Sequence, residues 1–150
     1  MDDILGKLRQ WFSSDDELRP TGDDDVRLAS AALLVHAMRI DDETSPAERE
    51  RLRDVLAQRF DVTGAELVAL IDAARAQDDE AVDLYRFTRL LTANLDQPGR
   101  IEIVRMMWEI AVADGEIHEF EANLVWRVAE LLGVASEDRI RLRQEVLAAS

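Results

Sequence analysis

Apolar residues recur along this chain at helical spacing, and the intervals between them carry helix-start and helix-stop signals. Ile4, Leu5, Leu8, Trp11 and Phe12, with Lys7 and Arg9 between them, predict a short amphipathic helix over residues 2–12. The stretch from Ser13 to Asp25 holds Ser, Asp and Glu, then Pro20, Thr21, Gly22 and three aspartates, and reads as a linker. A compact unit starts near Asp23. The chain therefore divides into an N-terminal helix with an acidic linker (1–22) and one helical domain (23–150).

Within that domain Val26, Leu28, Ala32, Leu33, Val35, Ala37 and Met38 predict a helix from Asp23 to Arg39. Ser45-Pro46-Ala47-Glu48 is a helix start, with Ser as cap, Pro at the first helical position and Glu three residues after the cap; its helix runs to about Phe60. Thr63-Gly64-Ala65-Glu66 repeats the capping pattern and opens a helix to about Ala76. Val82, Tyr85, Phe87, Leu90 and Leu91 predict a helix from Asp79 to Asn94, and Pro98 opens another to about Ala113. A helix from about Glu119 to Leu132 stops at Gly133, and Ser136 caps a last one to about Ala149. Strand-like alternation is absent. The fold class is all-α, with about seven core helices and the N-terminal helix as an appendage.

A shift of 73 residues aligns Asp41-Asp42-Glu43-Thr44-Ser45-Pro46-Ala47-Glu48 with Asp114-Gly115-Glu116-Ile117-His118-Glu119-Phe120-Glu121. Both read D-x-E-x-x-x-x-E. Apolar helices precede both (Leu33 and Leu34; Met106 and Met107) and follow both (Leu52 and Val55; Val125 and Val128). The expectation is two helical-hairpin halves related by an approximate two-fold, joined by the helices Thr63–Ala76 and Asp79–Asn94.

Composition narrows function mainly by exclusion. The net charge of −14 argues against a nucleic-acid partner, because phosphate binding needs clustered Lys and Arg. It also argues against adsorption to an anionic membrane, so that membrane contact is expected only through the N-terminal helix. It favours cations, basic protein surfaces or solubility by self-repulsion. The absence of cysteine excludes disulfides, thiolate metal sites and cysteine nucleophiles. No apolar run approaches the ~20 residues that span a bilayer, and the Met-Asp-Asp start lacks the basic opening of a signal peptide, so a cytoplasmic location is expected. With no G-x-S-x-G and no phosphate-binding glycine loop, the chain is not expected to be an enzyme.

The acidic turns are the best candidate site. A hard divalent cation needs several oxygens converging at about 2.0–2.6 Å. Asp41, Glu43 and Glu48 could supply them from one turn and Asp114, Glu116 and Glu121 from the other, with Glu50, Glu109 and Glu119 near by. The commoner role for such carboxylates is structural: Glu48 and Glu121 stand three residues after a cap position and complement the helix dipole. The turn is not an EF-hand, whose loop has twelve residues with ligands at alternate early positions. His36, aligned with Glu109, is expected as a packed helix residue, and His118 as an exposed cap residue; neither belongs to an H-E-x-x-H or E-x-x-H pair. Trp108 and Trp126 are expected in the core. Trp11 and Phe12 are expected to dock on the domain, with a partner or a membrane interface as alternatives. Arg75, Arg86, Arg89 and Arg105 are expected in surface pairs.

The stretch Ala111-Val-Ala-Asp-Gly-Glu-Ile-His-Glu-Phe-Glu121, followed by an amphipathic helix ending Leu131-Leu-Gly-Val134, resembles the A-x-A-D-G-x-I-x-x-x-E signature of the TerB-like family (tellurite-resistance protein B). That family is similar in turn to the N-terminal membrane-proximal region of the DjlA co-chaperones. The resemblance covers roughly Val26 to Ala149. It implies two packed helical halves with acidic inter-helix turns, an association with tellurite and stress resistance, and proposed roles in metal sensing or scaffolding, without an established catalytic activity. Asp41-Asp42-Glu43 departs from the Asp-Gly that the family favours. Two readings remain open: a non-enzymatic module that takes a basic protein partner, and a cation-binding or sensing protein that uses both turns.

Overall fold

The computed structural model of the protein describes residues 23–40, 45–80, 84–115 and 117–149. The expected N-terminal helix and its linker lie outside the described residues. Seven helices follow one another: α1 (Asp23–Arg39), α2 (Pro46–Phe60), α3 (Gly64–Glu80), α4 (Tyr85–Asn94), α5 (Gln97–Ala111), α6 (Glu119–Leu131) and α7 (Ser136–Ala149). No strand occurs among the described residues.

The centre is α1. From Leu28 to Val35 every residue is at most 2% exposed. A helix apolar on all sides must be surrounded, and α1 touches α2, α3, α4, α5 and α6. Alanines at 29, 31 and 32 let neighbouring helices approach closely. Ser30, the polar residue in this run, donates its hydroxyl to the Val26 carbonyl at 2.7 Å, so its burial leaves no unmet donor. The second axis is α5, where Ile103, Val104, Met106, Met107, Trp108, Ile110 and Ala111 are buried. Each fully buried large apolar side chain contributes about 1.5–3 kcal/mol, so these two helices carry much of the stability.

The packing repeats itself. α1 packs on α2 and α3 as α5 packs on α6 and α7; α2 crosses to α5 as α6 crosses to α1; and α1 meets α5 between them. The repeat is thus three helices long, because α7 is the counterpart of α3. α4 stands outside the exchange and packs on α1 and α6. The expectation of two hairpins joined by two helices is extended to two three-helix units joined by one.

Local chemistry explains most boundaries. Ser45 caps α2: its hydroxyl accepts from the Glu48 N–H and its own N–H donates to Glu48 Oε1, both at 3.1 Å. Asp96, not Pro98, caps α5, accepting from the Gly99 N–H at 3.0 Å, with Pro98 inside the first turn. α6 ends in a Schellman motif: Gly133 (φ 76°) donates to Glu130 and Val134 to Ala129. Arg100 closes α4 by donating to the Thr92 and Leu95 carbonyls at 2.7 and 3.0 Å. Ser136 is the first residue of α7 and not its cap.

The largest departure is at the end of α3. The expected stop near Ala76 and restart at Asp79 do not occur; α3 runs on to Glu80 and α4 begins at Tyr85. Tertiary contacts hold the extra turn. Gln77 is buried, His36 Nδ1 lies 2.7 Å from Asp78 Oδ1, and Arg39 donates to Asp78 and Asp79 at 3.2 and 2.9 Å. At the other end Arg27 lies 4.0 Å from Glu66, so α1 and α3 run parallel with a charge pair near each end. Glu66, expected to complete a capping box with Thr63, faces Arg27 instead.

Candidate functional site

Each acidic segment follows the central helix of its unit, α1 or α5, and precedes the next helix, α2 or α6. Of the six carboxylates expected to serve a cation, Asp41, Glu43 and Glu116 lie outside the described residues. The other three are well placed. Glu48 and Glu121 are each 1% exposed, an unusual burial for glutamate. They occupy the same position in the two units, the third residue of α2 and of α6.

Their surroundings differ. Glu48 Oε1 accepts from the Ser45 N–H, while Oε2 is buried with no hydrogen-bond partner among the described residues. In the second unit His118 takes the cap position and makes no side-chain cap bond. Its Nε2 lies 3.5 Å from Asp114 Oδ2, one helical turn back in sequence. Gly115, between them, has φ 91°, a backbone conformation that favours glycine. Among the described residues no group of three or more His, Asp or Glu side chains is gathered as a metal site.

The reserve acids have other tasks. Glu109 accepts from Arg59 at 3.0 and 3.2 Å, and Glu50 and Glu119 are exposed. Arg59 also donates to Glu102, which Arg105 approaches at 3.3 Å. Arg105 donates to Glu145 at 2.9 Å, and Arg141 lies 3.5 Å from Glu145. This chain of alternating charge ties α2, α5 and α7 together. Burial disfavours the Arg105 guanidinium, but the hydrogen bond to Glu145 and the charges of Glu102 and Glu145 outweigh it, so its pKa lies above the ordinary value. Each link is partly exposed and worth about 0.2–1 kcal/mol.

Arg89 stacks on Tyr85, 5.5 Å from the ring centroid. Arg75 joins Arg39, Arg49, Met38 and Asp79 around an open hollow of about 310 Å³. Trp108 is buried as expected, but Trp126 is only partly so; Arg139 covers its ring at 5.5 Å.

The residue that sequence reasoning passed over is Phe120. It is 66% exposed on the first turn of α6, between exposed Glu119 and buried Glu121. Leu131, 40% exposed, lies three turns along on the same face, with exposed Asn123 and Arg127 between. Spacing carried no signal for this exposure, because Phe120 stands four and eight residues before buried Leu124 and Val128, at the edge of the stripe that faces the core. Its counterpart in the first unit is the small, exposed Ala47. The two helix starts occupy matching places and differ in what they present.

No helix among the described residues is long and apolar enough to cross a membrane. A family model described as Tellurite resistance protein TerB matches residues 27–144. No curated protein and no solved structure matches the chain.

Proposed function

We propose a function on the premise that this chain belongs to the tellurite resistance protein TerB family: it is a non-enzymatic interaction module that docks a basic protein partner at the second acidic turn. The observation that carries this reading is Phe120, a large aromatic 66% exposed beside Glu119 and just after Asp114. An aromatic anchor inside a charged rim is the common composition of a protein-binding hot spot. The net charge of −14 steers basic surfaces toward it. Family membership brings an association with tellurite resistance, in which such a module would serve as a connector.

A photo-crosslinking residue in place of Phe120 tests this. In cells it is expected to capture one defined protein through a basic surface, with capture lost in high salt. The same residue in place of exposed Arg53 on α2 is expected to capture none. Phe120→Ala should abolish the association and change stability by no more than about 0.5 kcal/mol, as for an exposed side chain. Equal capture at positions 53 and 120 would sink the reading.

A second reading, a divalent-cation site in the turns, is favoured by the buried, unpartnered Oε2 of Glu48. Such an oxygen is a ready ligand, and the turns at Asp41 and Asp114 offer further ones. Calorimetric titration of metal-stripped protein with calcium, magnesium, manganese and zinc is then expected to show saturable binding. Asp41→Asn with Asp114→Asn would remove it and leave helicity intact. If the double variant lowers only the melting temperature, the acids are structural.

A further inference from the structure

A second surface feature lies away from the acidic turns. Val26, Phe60, Leu95, Ile103 and Met106 line an open cleft of about 180 Å³, with Arg59 and Glu102 at its mouth. The lining is apolar, and Val26, Phe60 and Leu95 are only partly covered. A dry apolar space of ~150 Å³ holds one benzene ring, so this cleft has room for one aromatic side chain.

We propose that the cleft is the docking site of the protein's own N-terminal segment, with Trp11 or Phe12 as the inserted ring. Position argues for this occupant. Val26 stands on the first turn of α1, the helix into which residues 1–22 lead. Residues 13–22 reach up to about 35 Å when extended, ample for Trp11 to come back to Val26. Composition argues for it too. The segment concentrates Leu5, Leu8, Trp11 and Phe12 in a few residues, and its Lys7 and Arg9 are opposite in charge to Glu102. Linkage argues against a separate copy, because a short tether gives an effective concentration in the millimolar range. An affinity too weak to join two chains is then enough to seat the segment within one.

The test uses the full-length chain, with methyl groups of Ile, Leu, Val and Met labelled for NMR. Cross-relaxation is expected between the Trp11 or Phe12 ring and the methyls of Ile103 and Met106. Replacing both rings (Trp11→Ala with Phe12→Ala) is expected to shift those methyls and leave Leu142 and Val146, on α7, in place. Unshifted Leu142 and Val146 report that the helical domain stays folded, so the shift reads docking and not unfolding. Absence of any ring-to-cleft signal would overturn the proposal. So would a signal seen only between differently labelled chains, which would assign the cleft to a second copy. Unperturbed cleft methyls together with a segment that binds anionic lipid vesicles would assign the rings to a membrane surface and overturn it equally.

Discussion

Trp108→Ala is expected to cost about 3–5 kcal/mol, a large part of the ~5–15 kcal/mol that holds a domain of this kind together. The side chain is 1% exposed, sits in the last turn of α5, and is covered by Arg143 of α7 at 5.7 Å from the ring centroid. Truncation would open a cavity where the second unit joins its third helix. Trp108→Phe is expected to cost far less, about 1–2 kcal/mol. The indole Nε1 is buried without a hydrogen-bond partner among the described residues, so Phe removes an unmet donor along with some volume. Urea unfolding of the three proteins measures both differences. Equal losses for Phe and Ala would mean that Nε1 has an acceptor and that the second ring is not a packing element alone.

Glu48 separates the structural and the ligating roles of the acidic turns. Glu48→Ala removes the acceptor of the Ser45 N–H while the backbone N–H of residue 48 still donates to Ser45 Oγ, and is expected to cost about 1–2 kcal/mol. Glu48→Gln keeps an acceptor for the Ser45 N–H and is expected to stay within about 0.5 kcal/mol in the absence of metal. Thermal melts with and without manganese or calcium then decide the rest. If metal raises the melting temperature of the wild type and not of Glu48→Gln, the second oxygen is a ligand. If neither protein responds, the capping box accounts for Glu48.

The parts of the fold that were legible in the sequence are those fixed by neighbouring residues. Ser45-Pro46, the Glu at 48, Gly133 and the stripes of Leu and Val announce helices because their chemistry acts over one or two turns. The family resemblance rested on the same kind of local signal around Asp114-Gly115, and the family match over residues 27–144 agrees with it. What was hidden depends on distant partners. The continuation of α3 to Glu80 rests on His36 and Arg39, about forty residues away in sequence. The burial of Glu48 and Glu121 follows from packing that no spacing rule reveals. Trp126 looked like core because it shares helical phase with apolar residues, yet it lies at the margin under Arg139. In the candidate site the Ser45–Glu48 cap was foreseen; the exposure of Phe120 was not.

The exchange of α1–α2–α3 with α5–α6–α7 has an evolutionary meaning. It is the pattern that fusion of two copies of one small unit would leave. While such copies are separate they must stay identical, and every improvement in binding has to be tolerated twice. Fusion removes that constraint. Here the first unit has Ser45 and Pro46, which begin its helix well. The other has His118 and Glu119 at those places, with Gly115 before them and the ring of Phe120 after. Within one repeated architecture the two helix starts thus carry different side chains, and a change at one need not be repeated at the other.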